Sequence, residues 1–296
     1  MTEPTALERT LLAFQRLLPA RFRADIPIVP VVRLTGVIGM SAPLRPGLVL
    51  SSVARVLERA FTVPNARAVA IAINSPGGSA VQSHLIFKRI RALSEEYELP
   101  VIAFVEDVAA SGGYMIACAA DEIICDASSI VGSIGVVGAS FGFNKLIDKI
   151  GIERRIYTSG DRKVMLDPFL PEKPDDVERL KAIQQEIHEG FIALVKARRG
   201  AKLNGREKAL FSGEFWTGSR ARELGLTDAI GDLRSALRER YGEQVKTPLI
   251  AERGMFGRKA PGISSSAADR LFDRSGLADE VISALEARAM WARYGL

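Results

Sequence analysis

The residues of this chain that could do chemistry fall in three short segments. Asn74-Ser75-Pro76-Gly77-Gly78-Ser79 lies between an apolar run and a helical pattern. Pro76 cannot continue a sheet, and paired glycines free the backbone from side-chain crowding. N–H groups of such a turn could bind a developing oxyanion, although a plain strand-to-helix turn has the same composition. Ala109-Ala110-Ser111-Gly112-Gly113-Tyr114 repeats the setting. A serine at the first turn of a helix is ordinarily a cap. The glycines after Ser111, however, would let a substrate backbone come close, and the Gly112 N–H would sit where a nucleophile needs an oxyanion donor. Tyr157-Thr158-Ser159-Gly160-Asp161-Arg162-Lys163, read alone, is a polar loop whose lysine would be a solvated charge.

A hydroxyl nucleophile needs a base. Histidine is the usual one, and the chain has two, His84 and His188. Both fall in helical stretches and read as surface or packing residues. A Ser-His-Asp site is therefore open but has no motif behind it. The other choice is lysine. An unperturbed lysine titrates near ~10.4, so about one in 2,500 is neutral at pH 7. Lowering that value by about 3 units corresponds to ~4 kcal/mol of lost charge stabilisation, so the fold would have to bury the amine and hold its neutral form.

The elements that must position these residues alternate. Ile28–Leu34 reads as a strand with an edge or bend at Pro30, and Leu48–Phe61 as a helix. Ala68–Asn74 is apolar to its last residue and reads as a strand buried on both faces. A helix over Ser79–Glu95, a strand over Val101–Glu106 and a small-residue helix over Ser111–Ala120 follow. Strands are expected at Glu122–Cys125, Ile134–Val137 and Glu153–Thr158, and helices at Phe143–Ile150 and Pro174–Arg199. The alternation predicts an α/β domain with mostly parallel pairing. Residues 254–266 have linker composition, and a last helix is expected over Leu277–Arg293.

Of 296 residues, 47% are apolar and 25% charged, enough for a sizeable core. The net charge of +5 is spread among acidic residues, without the cationic cluster that nucleic-acid binding wants. Two cysteines, Cys118 and Cys125, read as buried thiols rather than a disulfide framework. No secretory signal or apolar run of transmembrane length is visible. In the amphipathic stretch Leu7–Arg23, Leu11, Phe14 and Leu18 share a face beside four arginines. It could lie on a membrane surface or pack as an ordinary helix on the domain or a neighbouring subunit.

The three segments together resemble the signal peptide peptidase A family of serine proteases, including its SohB relatives, a branch of the ClpP/crotonase superfold. The likeness runs in order from about Ile28 to Tyr241. It adds Val131-Gly132-Ser133-Ile134-Gly135-Val136, Trp216-Thr217-Gly218 and Glu223-Leu224-Gly225-Leu226-Thr227-Asp228 to the motifs above. It implies a spiral of ββα units with mostly parallel sheets, plus helical N- and C-terminal extensions. It implies Ser111 as nucleophile, Lys163 as general base, Ser133 as the serine orienting the lysine amine, and the N–H groups of Gly78 and Gly112 as oxyanion donors. The ClpP branch instead takes a histidine soon after its serine, and Gly112–Ile187 contains none.

The resemblance further implies a homo-oligomer enclosing its sites, with no cofactor and no metal. The expected division is an N-terminal helix in 1–25, a protease domain in 26–250, and a linker with a C-terminal helix in 251–296. Family members carry a membrane anchor that is not visible here, so a cytoplasmic or membrane-peripheral place is expected. Substrates are expected to be short or unfolded apolar peptides, signal-peptide remnants among them, because Ala, Val and Ile surround the site segments. The alternatives are a non-catalytic scaffold on the same fold that binds partner proteins, and a crotonase-type acyl-CoA enzyme. The latter would use paired oxyanion donors but have no use for Ser111 and Lys163.

Overall fold

A computed structural model describes residues 26–39, 47–160, 162–251, 285 and 287–296. Its elements run β1 (Val31–Thr35), α1 (Leu50–Phe61), β2 (Val69–Ser75), α2 (Ala80–Glu96), β3 (Val101–Ala110), α3 (Gly112–Ala117), β4 (Glu122–Cys125) and β5 (Ile130–Gly132). Then come α4 (Asn144–Lys149), α5 (Pro174–Arg199), α6 (Glu207–Leu210), β6 (Phe215–Thr217), α7 (Gly218–Glu223), β7 (Ala229–Ile230) and α8 (Leu233–Tyr241). The strands form one sheet in the order β1-β2-β3-β4-β7, with β5 beside β3 and β6 beside β5. Every pairing is parallel except β5 with β6. The α/β class with a mostly parallel sheet is thus as expected.

Both faces of this sheet are covered, which explains its unbroken apolar strands. Along β2, Val69, Ile71 and Ile73 enter the larger core, with Leu57 and Phe61 of α1, Ile86 and Ile90 of α2 and Tyr114 of α3. The alternate residues Ala70 and Ala72 face a second cluster with Phe104 and Leu237 of α8. Each Ile or Leu fully withdrawn from water contributes roughly 1.5–3 kcal/mol.

The helix α5 has the bounds its sequence dictates. Pro174 stands at its start with Asp175 and Asp176 in the first turn, and Lys196, Arg198 and Arg199 fill the last. These charges complement the helix dipole at both ends.

Three expectations need correction. The strand read as Val101–Glu106 continues to Ala110. Glu106 and Asp107 do not end it, because they sit at a bulge: Ile73 pairs with Val105, but Ser75 pairs with Ala109. Their charges are met by Arg33 at 2.5 Å and by the Asn74 amide at 2.6 Å. The strand expected at Ile134–Val137 is instead Ile130–Gly132, held between β3 and β6, and the positive φ of 54° at Ser133 ends it. Glu153–Thr158 forms no strand, and no strand pairing among the described residues includes it. The amphipathic stretch 7–23 and the linker 254–266 lie outside the described residues. Of the last helix, only residues 285 and 287–293 are described.

Candidate active site

The bulge in β3 sets the aim of Ser111, which directly follows the strand. Ser111 has φ 52° and ψ −120°, a conformation that costs a non-glycine residue about 1–3 kcal/mol. Its neighbours hold it there through the backbone. The Ser111 N–H donates to Gly132 O at 2.8 Å, and the next residue of that loop, Ser133, donates its own N–H to Glu214 O at 2.7 Å. Gly77 lies so close that an added Cβ would stand 2.8 Å from Ser111 Cβ. Replacing Ser111 by Gly should release the strain that Ser111→Ala retains. The Gly variant is therefore expected to be the more stable of the two by about 1 kcal/mol, after allowance for the extra freedom of an unfolded glycine. Denaturant unfolding of the pair measures the difference.

Gly78 faces the same turn. Its φ is 141°, and a Cβ there would meet Ile38 O at 2.1 Å. The flanking bonds, Ile38 N–H to Gly77 O and Ser79 N–H to Ile38 O, are both 2.8 Å. They clamp the turn and leave the Gly78 N–H between them. Among the described residues, neither the Gly78 nor the Gly112 N–H has an acceptor. Gly112 is closely packed too, since a Cβ would come 2.2 Å from Ser83 Oγ.

Ser111, Gly78 and Gly112 line one cavity of about 540 Å³ with Pro76, Met115, Val136, Val137, Ile187 and Phe191. Its walls are largely apolar. Ser133 is buried beside it, and its hydroxyl lies 3.3 Å from the Tyr294 hydroxyl. The structure thus brings Ser111, Gly78 and Gly112 to one cavity, with Ser133 adjacent through Gly132.

Lys163 is placed elsewhere. It is an exposed residue of a turn over residues 162–166, its N–H bonded to Gly160 O, and does not line the cavity. Among the described residues its ammonium has no hydrogen-bond or ion-pair partner. The turn belongs to an arm after Gly135 that is pinned to itself by Arg154–Asp167 at 2.5 Å and by Phe143 N–H to Pro168 O at 2.6 Å. Along the arm Val137, Phe141, Leu146, Ile150, Ile152 and Tyr157 are exposed, Tyr157 to 90%.

The histidines are placed as packing and surface residues: Nε2 of His188 lies 3.1 Å from Ile134 O, and His84 is exposed on α2. Cys118 and Cys125 are free and buried, and burial pushes the Cys118 thiol up to about 12, so it is inert at neutral pH. Among the described residues no helix is long and apolar enough to cross a membrane, and no cluster of side chains could hold a metal ion. Sequence reasoning missed Tyr294, which meets Ser133 across 161 residues of chain and carried no local signal.

Comparison with known proteins bears on this arrangement. The model of Peptidase family S49 matches residues 94–246, more than half of the chain. The chain belongs to peptidase family S49, and the expected kinship with signal peptide peptidase A is borne out. A protein of Brucella abortus (strain 2308) named Na(+)/H(+) antiporter NhaA is 57% identical over 286 residues, covering 95% of this chain but 39% of that protein. More than half of that protein lies outside the likeness, and its ion-transport name is not carried over. The chloroplastic serine protease SPPA of Arabidopsis thaliana is 37% identical over 172 residues, covering 58% of this chain and 25% of that protein. The chain thus spans well under half the length of these relatives. Among solved structures, a membrane-bound stomatin-specific protease aligns over 73% of this chain and 85% of its own, at 20% identity and a TM-score of 0.44.

Proposed function

We propose that this chain is a serine endopeptidase that cleaves short or unfolded apolar peptides, with Ser111 as nucleophile and Lys163 as base. The observation that carries this reading is the strained Ser111 at the mouth of an apolar cavity, beside two glycine N–H groups that have no acceptor. Kinship with S49 peptidases supports it. Neutral Lys163 takes the hydroxyl proton as Ser111 Oγ bonds to the peptide carbonyl carbon. The oxyanion is stabilised by the N–H groups of Gly78 and Gly112. The ammonium then protonates the departing amine, and water, deprotonated by the same lysine, releases the acyl group and restores the serine. Ser133 holds the amine through its hydroxyl.

A lysine in open water is almost wholly protonated at pH 7, so Lys163 must be enclosed before it can serve. A second copy of this chain supplies that enclosure. The exposed apolar residues on the arm that carries Lys163 are the surface such a copy would cover, and the lysine of one copy would serve the serine of its neighbour. Signal-peptide remnants fit the apolar walls as a substrate class.

The direct test is covalent labelling with a fluorophosphonate, with the modified residue mapped by mass spectrometry. Ser111 is the expected site, and the Lys163→Ala chain is expected to label at least tenfold more slowly. Labelling at another serine, or undiminished labelling without Lys163, would sink the proposal.

A further inference from the structure

The last residues of the chain lie over the site itself. Ala289, Met290 and Arg293 line the same cavity as Ser111, Gly78 and Gly112. Tyr294 is buried, packed with Val108 and Ala110 of β3 and edge-on to the Phe215 ring, whose centroid is 5.1 Å away. Its hydroxyl sits 3.3 Å from Ser133 Oγ and 3.5 Å from Pro76 O. It therefore touches the turn that carries Gly78 and the hydroxyl that would orient the lysine. Tyr294 is the one buried side chain among the described residues of this segment; its neighbours are half-buried or exposed. Trp291, half-buried, packs against the same cluster, so the segment is held along one short face and can be displaced as a unit.

We propose that residues 289–296 are an occluding segment: they narrow the Ser111 cavity, and Tyr294 occupies the Ser133 hydroxyl that Lys163 must use. The chain then keeps its own site narrowed until the segment leaves. The contest over Ser133 rests on the Ser111–Lys163 reading above; the narrowing of the cavity does not.

The two parts are separated by a measurement that needs no catalysis. A Ser111→Cys chain is treated with iodoacetamide, and modification at position 111 is followed by mass spectrometry; both native cysteines are buried. Ending the chain at Arg288 is expected to raise the alkylation rate at least tenfold. Adding a free peptide of residues 287–296 is expected to reverse the gain. The full-length Tyr294→Ala chain should show the same rise, which guards against a truncation that fails to fold. Equal rates in all forms, within twofold, overturn the occlusion. With Ser111 intact, peptide hydrolysis should rise in parallel. If alkylation rises while hydrolysis is absent in every form, the dyad reading fails and the occlusion stands. If hydrolysis is present but neither rate changes, only the occlusion fails.

Discussion

Chains carrying Ser111→Ala and chains carrying Lys163→Ala are each expected to lose the proposed peptide hydrolysis by about 10⁴-fold or more, as removal of a nucleophile or its base does in serine proteases. Co-expressed in equal amounts, the two should recover about a quarter of the wild-type rate, because random assembly of copies pairs an intact serine with a neighbour's intact lysine at that frequency. The reason lies in where the structure puts the two groups. Ser111 is fixed in the cavity by the backbone of β3 and β5, whereas Lys163 stands exposed in a turn of an arm with unpartnered apolar residues. No recovery in the mixture, with each single variant dead, would place both groups in one copy. Recovery is measured on a leucine-rich peptide at a protein concentration where the wild type is assembled.

Asp228→Ala should lower the unfolding free energy by about 3–5 kcal/mol, because it strands a buried cation. Arg199 is 3% exposed and bonds Asp228 at 2.6 Å and Gly225 O at 2.7 Å. The carboxylate also receives Lys202 at 2.6 Å and the Ile123 N–H at 2.8 Å. These bonds tie the end of α5 to β4 and to the turn before β7. Replacing the pair together, Arg199→Met with Asp228→Leu, should cost less than the single change, since no unpaired charge then remains inside. Burial pushes the Asp228 carboxyl up, but hydrogen bonds from Arg199, Lys202 and the Ile123 N–H outweigh it and hold it below the usual carboxylate range. A depressed native value means stability that is fully present above the unfolded value of ~3.9 and is lost as pH falls below it. Urea unfolding from pH 6 to pH 3 should therefore show a steeper decline in the wild type than in Asp228→Ala. Parallel curves would remove this carboxylate from the acid response.

Much of the scaffold was legible because its signals are local. The run Ala68–Asn74 has no polar interruption before its end, and α5 carries its start and stop signals in its own sequence. Ser111 and the two glycine turns were legible for the same reason. What escaped needed distant partners. Glu106 and Asp107 look like the end of a strand until Arg33 and Asn74 are beside them. Ile130–Gly132 carries no local strand signal, because its pairing with β6 joins segments far apart in the chain. Arg199 reads as a surface charge at a helix end, and only the fold buries it against Asp228. Tyr294 was invisible, since nothing near it in sequence speaks of Ser133.

The elbow at Ser111 is secured by main-chain bonds, from its own N–H to Gly132 O and from Ser133 to Glu214 O, while the opposite turn is clamped by Ile38. None of these ties depends on which side chains form the cavity wall. Val136, Val137 and Ile187, the half-buried or exposed parts of that wall, can therefore be exchanged without moving the Ser111 hydroxyl, whereas Met115 and Phe191 also belong to the core. If the proposed cleavage holds, preference for one peptide over another can change through these wall residues while Ser111 stays in register.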